Sequence, residues 1–373
     1  MKKFLLFFVA IATPYLTGCV YCSANHGIVQ DNTPPAPDSI RLIFVGDVMG
    51  HSTQFKGAWR DGGDSCYNYI PSFQWVKDYI SSADIAIANF EVTLAGEPYG
   101  GYPSFSSPIS LATALQNVGF DILVTANNHI LDRGAKGMER TIDVLDSLGI
   151  THTGTFKDST QWKKNHPLII EKNGFRLAFL NYTYGTNFGK EKSAIIVNYI
   201  DTIRIANDLD RVRELNADYI IAFLHWGTEY QNKESEIQRQ IADFLALHGC
   251  NLIVGAHPHV VQPVKKIAGN SSDSVLVAYS LGNFVSNQRW RYSDGGVMLE
   301  VTLSKSDSIT NLNSWRYEPV WVRRYPEKGV QVYRLIPVND FLINPEHYPV
   351  SAEDEKLLRQ FGEDTKRIMN YEL

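Results

Sequence analysis

The chain has 373 residues and is 44% apolar, enough for one large core or one core with a small appendage. Charged residues make up 20% and the net charge is -5, so no basic field points to nucleic acid and no charge block to a disordered tail. Aromatic residues reach 12%, which suits an envelope-facing protein and a packed core equally.

Lys2 and Lys3 precede an apolar run from Phe4 to Ala12, followed by Leu16-Thr17-Gly18-Cys19. A short basic region, a short apolar region and small residues before a cleavage point describe a secretory signal peptide. The run is too short to span a bilayer. Residues 1–18 are therefore expected to be a signal peptide. Leu-Thr-Gly-Cys resembles a bacterial lipoprotein box, which makes Cys19 the lipidated first residue of the mature chain. Each buried methylene of such an anchor contributes about 0.8 kcal/mol to membrane binding. A plain signal peptide with an incidental Cys is the alternative. Residues 19–38 hold Pro34-Pro35-Ala36-Pro37 and no pattern that buries a face, and read as a tether. Cys22, Cys66 and Cys250 are scattered, so a disulfide framework is not expected, although one bridge among them is open in an oxidising compartment.

From Ile40 onward, short apolar runs alternate with amphipathic segments. Arg41–Val45 reads as a buried strand, Phe73–Ser81 as a helix and Asp84–Ala88 as the next strand. Leu111–Val118 is helical before the strand Ile122–Thr125, and Gly137–Leu148 is a helix. Leu168–Glu171 and Arg176–Asn181 pair around Lys172-Asn173-Gly174, a hairpin signal. Helices over Asp201–Leu215 and Glu234–His248 alternate with strands at Tyr219–Leu224 and Leu252–Val254. Val275–Ser280 and Val297–Ser304 are further strands. This alternation indicates an α/β domain with a mainly buried sheet. Residues 305–373 hold a Trp- and Tyr-rich strand pair and an end helix, Ala352–Met369, expected to complete the domain begun at residue 39.

In such sheets, ligands bind beyond the carboxyl ends of the strands. Six apolar runs end there in acid, amide or imidazole groups. They deliver Asp47 with His51 behind it, Glu91, the Asn127-Asn128-His129 turn with Asp132, His225 with Glu229, His257-Pro258-His259, and Asn283. Mixed oxygen and nitrogen donors suit Mn, Zn or Fe better than Ca or Mg. No Cys stands among them, against a thiolate zinc site. Two ions about 3.5–4 Å apart in such a site activate water and polarise a phosphoryl or acyl oxygen. An unligated His can then protonate the leaving group. His129, beside Asn128, is the candidate acid, with Asp132 orienting it. Pro258 is expected to keep the backbone extended, turning His257 and His259 to one side. Glu229, Asn127 and Asn283 are candidate rim residues, and Tyr182 a pocket residue. His51 stands between ligand and ordinary loop residue, whereas His152, His166 and His248 read as structural or exposed.

Gly46-Asp47-Val48-Met49, Asn89-Phe90-Glu91, Ala126-Asn127-Asn128-His129 with Leu131-Asp132-Arg133-Gly134, His225-Trp226-Gly227-Thr228-Glu229-Tyr230, Gly255-Ala256-His257-Pro258-His259 and Tyr279-Ser280-Leu281-Gly282-Asn283-Phe284 succeed one another over about residues 41 to 290. Together these motifs resemble the CapA family of poly-γ-glutamate (capsule) synthesis proteins, which is similar in fold to calcineurin-like metallophosphoesterases. The resemblance implies a metallophosphatase-like layered α/β sandwich, with helices flanking a central β-sandwich. It also implies a divalent metal centre, with two ions held by Asp47, Glu91, Asn128, His225, His257 and His259, and His129 as acid. The larger relatives carry Asp-x-His at the first strand, where this chain has Met49, and Asp where it has Glu91.

Three functions compete. The first is a membrane-anchored metallohydrolase of the cell envelope, on the periplasmic or extracellular side, acting on a phosphoester or an envelope polymer. The second is a non-catalytic assembly or export factor for capsule or poly-γ-glutamate that keeps the fold. The third is a soluble nucleotidase-like phosphatase, for which no separate nucleotide-binding region is evident.

Overall fold

Apolar runs buried on both faces build strands, and amphipathic segments cover them. The computed structural model describes residues 39–189, 193–270, 274–306 and 309–369. The expected signal peptide, the lipidation site Cys19, the tether and Cys22 lie outside the described residues. In chain order the elements are β1 (Ser39–Val48), α1 (Ser52–Asp61), α2 (Ile70–Phe73), α3 (Lys77–Ser81), β2 (Ile85–Phe90), α4 (Ser110–Val118), β3 (Ile122–Val124), α5 (Gly134–Leu148), β4 (Thr151–Thr153), β5 (Thr155–Phe156), α6 (Ser159–Asn165), β6 (Leu168–Lys172), β7 (Phe175–Thr183) and β8 (Ile196–Val197). They continue with α7 (Thr202–Glu214), β9 (Tyr219–His225), α8 (Glu236–Leu247), β10 (Leu252–Ala256), β11 (Val264–Ala268), β12 (Ser274–Ala278), β13 (Asn283–Val285), β14 (Gly295–Ser306), β15 (Ile309–Glu327), β16 (Val330–Pro337), α9 (Val338–Ile343) and α10 (Ala352–Met369).

One sheet runs β16-β15-β14-β1-β2-β3-β4, with β13 also pairing β1; a second runs β11-β12-β10-β9-β7-β6, and β5 and β8 form a small antiparallel pair. Strands β1, β2, β3 and β4 are mutually parallel, as are β7, β9, β10 and β12. Ile40, Leu42 and Phe44 on β1 pack with Leu177, Phe179, Ile221 and Phe223 of the other sheet. Ile43 and Val45, of opposite parity, pack with Leu111, Leu115 and Leu145 of the helices. On the far face of the second sheet, Leu180, Ala222 and Ile253 meet Ile205, Leu209 and Leu245 of α7 and α8. The result is helices on either side of two facing sheets, the layered α/β sandwich that the resemblance implies.

Local chemistry explains the boundaries. Asp201 accepts from the N–H groups of Ile203 and Arg204 to cap α7, and Ser235 caps α8 through Gln238 N. Asn173 (φ 52°) and Gly174 (φ 79°) turn the β6–β7 hairpin with both central residues left-handed. The helix expected over Phe73–Ser81 is instead two short ones, α2 and α3, broken at residues 74–76. Helix α1 was not legible, because Gly57 and scattered polar residues blur its period. Cys66 and Cys250 are both free thiols, one exposed and one buried.

Candidate metal centre

All the strand-end groups issue from the same edge of the two sheets. Register aligns Asp47 with Asn89 on β2 and Asn283 on β13, and His225 with Thr183 on β7 and Ala256 on β10. Gly46 makes this possible: a Cβ there would stand 2.0 Å from Gly282 O. Asp47 N–H donates to that same carbonyl (2.9 Å), and Glu91 N–H to Val48 O (3.1 Å).

After β10 the chain does not stay extended. His257 has φ 99° and His259 φ 60°, left-handed conformations that residues bearing a Cβ seldom adopt. This corrects the extended path expected from Pro258. Tyr230 N–H donates to Pro258 O (2.8 Å), and His257 N–H to Asp47 Oδ1 (3.3 Å), which hold the turn against the strand ends.

The side chains converge. Asp47 Oδ2 lies 2.9 Å from His259 Nδ1, and Asp47 Oδ1 accepts from Asn89 Nδ2 at 2.7 Å. Asn89 Nδ2 is 3.2 Å from His225 Nδ1, and His225 Nε2 is 3.0 Å from Asn128 Oδ1. Glu91 Oε1 is 3.6 Å from His225 Nε2 and 3.8 Å from His259 Nε2. The ligand atoms form two groups, Glu91–His225–His257 and Asp47–Glu91–His259, each spanning no more than 4.8 Å. Glu91 belongs to both.

These residues fit divalent cations. Both carboxylate oxygens of Glu91, Asn89 Oδ1 and His257 Nδ1 are buried without a hydrogen-bond partner. A carboxylate stripped of water and of donors is costly unless a cation faces it. Burial, and next the adjacent Asp47 charge, push Glu91 well above the usual carboxylate range. Burial also pushes Asp47 upward, but the bond and charge of His259, with Asn89, outweigh it and bring Asp47 below its ordinary value. Burial and the neighbouring imidazoles hold His225 well below 6.5, and the same causes take His257 down to about 3. Neutral imidazoles are the form that ligates a metal.

Beside the two groups, His129 Nδ1 lies 2.8 Å from Asp132 Oδ2, which also accepts Phe105 N–H at 2.7 Å. Asn187 Nδ2 is 3.3 Å from the same ring nitrogen, and Asn187 N–H donates to Asn128 O at 2.8 Å.

The family model "Bacterial capsule synthesis protein PGA_cap" matches residues 41–288. The chain belongs to this family. It is 28% identical over 363 residues to the PGA biosynthesis protein CapA of Bacillus subtilis (strain 168), covering 94% of this chain and 90% of that protein. It is 26% identical over 345 residues to the capsule biosynthesis protein CapA of Bacillus anthracis, covering 88% and 74%. The solved calcineurin-like phosphoesterase YfkN from Bacillus subtilis aligns with a TM-score of 0.48 at 11% identity, over 88% of this chain and 97% of that one. The layered architecture rests on the strand order of the two sheets and not on that alignment.

Within this capsule synthesis family fold, several sequence expectations need correction. Tyr182 does not line the pocket. It faces the helices, where its hydroxyl donates to Asp208 Oδ2 at 2.8 Å. Asn127 is fully buried and structural: its amide donates to Phe90 O, and its oxygen accepts His129 N–H. Asn283, also fully buried, donates to Ser293 O and Gln288 Oε1 behind the rim. His51 stands outside both ligand groups. Its backbone N–H and Nδ1 meet Gln54 Oε1 at 2.8 and 3.0 Å, and its ring packs edge-on against Phe105. Burial takes its pKa down to about 4. Glu229 is exposed beside Tyr230. His152 pairs with Asp146, His166 with Asp208, and His248 with Phe244 O, away from the centre.

Two residues receive no site role from the sequence, Asn89 although it stands in a strand-end motif, and Tyr184. Asn89, at the end of β2, ties Asp47 to His225. Tyr184, just past β7, lies 4.6 Å from the His257 ring. The signal for Asn89 was present, an amide in an apolar strand. Tyr184 carried none beyond its place after a strand.

Proposed function

We propose that this family member is a membrane-anchored, metal-dependent hydrolase of the cell envelope, cutting a phosphoester or a related bond of an envelope polymer. The observation that carries the reading is Glu91, a buried carboxylate with no donor to either oxygen, set among three imidazoles and Asp47. The names of the two CapA relatives and the N-terminal lipobox-like segment support the envelope setting.

In this reading Asp47, Glu91, His225, His257 and His259 hold the divalent cations, with Asn128 Oδ1 facing the same space. Bound cations supply Lewis acidity and hydroxide at neutral pH. Asp47 is kept charged by His259 and Asn89, so it attracts cations without prior deprotonation. His225 and His257 are kept neutral by burial. Asp132 fixes the ring of His129, which delivers a proton to the departing oxygen. Tyr184 and the exposed Glu229 border the opening.

The test is metal analysis of the full chain purified in mild detergent. About two equivalents of Mn, Zn or Fe are expected, lost in a His257→Ala/His259→Ala variant. Metal-dependent release of p-nitrophenol from bis-p-nitrophenyl phosphate is expected with them. Metal retained without turnover on any ester or amide probe would remove the hydrolase. The non-catalytic assembly factor would then stand. Met49 favours that second reading. It is buried where larger relatives carry His, and its sulfur meets Ser286 Oγ at 3.6 Å, so the first strand supplies no imidazole.

A further inference from the structure

The chain just past β7 is tied to one part of the centre. Tyr184 N–H donates to His225 O at 2.9 Å, and Asn187 N–H to Asn128 O at 2.8 Å. Asn128 Nδ2 donates to Asn187 Oδ1 at 3.5 Å. The Tyr184 ring lies 4.6 Å from that of His257 and nearly parallel to that of His225, 6.2 Å away. Burial raises the Tyr184 pKa, as do the Glu229 and Glu91 charges, and a side-chain bond with Asn128 opposes them. A bond that favours the ionised hydroxyl has the amide as its donor. The segment is itself braced. Thr183 Oγ1 donates to Gly185 O at 2.9 Å, and Thr186 Oγ1 lies 3.2 Å from the Tyr199 hydroxyl.

These bonds settle which end of an amide ligand meets the ion. An amide has a donor end and an acceptor end of nearly the same shape, and only the oxygen can face a cation. Asn128 lies in the turn after β3, beyond the last residue of a short strand ladder. Tyr184 and Asn187 take its Nδ2, which leaves Oδ1 turned to His225 Nε2 at 3.0 Å. His225 and His257 share one ligand group with Glu91, and Asn128 faces that group. Asp47 and His259, in the other group, are held by Asn89 and by each other instead. Partners behind a metal ligand commonly change metal affinity by about 10–100-fold.

Resting on the hydrolase reading, we infer that Tyr184 and Asn187 are positioning residues for one of the two cations, the one held by Glu91, His225, His257 and Asn128, and set its affinity apart from that of its neighbour. The test titrates Mn calorimetrically into the chelator-stripped full chain in detergent. Two ions are expected in the parent. Asn187→Ala and Tyr184→Phe are each expected to weaken one of them about tenfold, and the other by less than about threefold. Both side chains are exposed, so the stripped variants are expected to melt within a few degrees of the parent. Electron paramagnetic resonance gives the second readout. At Mn levels that fill both positions of the parent, its signal is that of an exchange-coupled pair, and the double variant gives that of an isolated ion. Two ions bound as tightly in the variants as in the parent, or both weakened alike, would overturn the positioning role and leave the hydrolase standing. Selective loss of one ion, with no turnover by the parent on any ester or amide probe, would end the hydrolase and leave the positioning role. A parent holding a single ion would overturn the positioning role, and one holding none would overturn both.

Discussion

Glu91 concentrates the cost and the purpose of the centre in one side chain. Its Oε1 faces imidazole nitrogens at 3.6 and 3.8 Å, and neither oxygen has a hydrogen-bond partner. An unsatisfied buried polar group destabilises by about 1–3 kcal/mol, and a charged one by more. In chelator-treated protein, Glu91→Gln is therefore expected to raise the melting temperature. In the parent, a cation at 100 times its Kd adds about 2.7 kcal/mol, and the variant loses that gain. Thermal melts with and without Mn check both signs, and a variant that still gained stability from metal would exclude Glu91 as a shared ligand. Asp132 makes a separate case. It contacts His129 at 2.8 Å and lies in neither ligand group. Asp132→Asn is expected to lower phosphodiester turnover by about 10²-fold or more, the range of general acid catalysis, with metal content unchanged. Loss of metal together with activity would make Asp132 part of the ligand scaffold instead.

At the scale of elements, the strand ends were legible because each apolar run stops where solvent and ligand begin, and the residue that stops it is polar. The faces of the strands were not. Strands buried on both sides lack the period-two alternation that tells one face from the other. That is why Tyr182, one residue from Asn181, whose amide bonds Ala126 N–H and Phe223 O, reads from sequence as lying on the wrong side of β7, and why Tyr184 gives no signal. The close approach of β1 to β13 was equally invisible, because Gly46 and Gly282 are far apart in sequence. Gly46→Ala places a methyl 2.0 Å from a carbonyl oxygen, so the strands must part. About 1–3 kcal/mol of stability is expected to go, measured by urea unfolding, with weaker metal binding because Asp47 is the next residue. A second junction is titratable. Glu318 on β15 accepts from Asn339 N and Nδ2 at 2.7 and 2.9 Å, at the start of α9. Burial raises its pKa from 4.5 to about 7 against those bonds. The native state thus holds a proton that the unfolded chain releases above about pH 4.5. Its contribution is complete below that pH and fades as pH rises through 7. Glu318→Gln is expected to flatten that part of the stability–pH curve, by up to ~3 kcal/mol between pH 4.5 and 8. Urea midpoints that fall with pH as steeply as in the parent would remove Glu318 as the cause.

Across the whole molecule, the residues matched by the family model end at 288, yet β14 pairs with β1, which carries Asp47, and later strands extend that sheet. Strands β15 and β16 extend the first sheet beyond β14, and α9 and α10 close over Trp321 and Ile336 with Phe341, Leu358 and Phe361. The same region grips the segment that carries Trp290. Arg291 makes two bonds to Asp364 on α10, at 3.0 and 2.9 Å. Arg289 Nη1 donates to Val322 O at 2.6 Å, and Trp321 Nε1 to Asp294 Oδ2 at 2.8 Å. Asn287 Oδ1 accepts from Tyr333 and Arg324, and its N–H reaches His51 Nδ1 at 3.4 Å. A chain stopped after Ser306 would leave β14 as a bare edge and strip the cover from this segment. It is expected to lose its cooperative thermal transition and to accumulate insoluble, whereas Asp364→Ala in the full chain keeps the transition within a few degrees. Soluble yield and the near-ultraviolet dichroism melt of the two chains decide the point. If the shortened chain melted like the parent and bound metal equally, residues 307–373 would be a separable appendage, and the support of the centre would have to lie within residues up to 306.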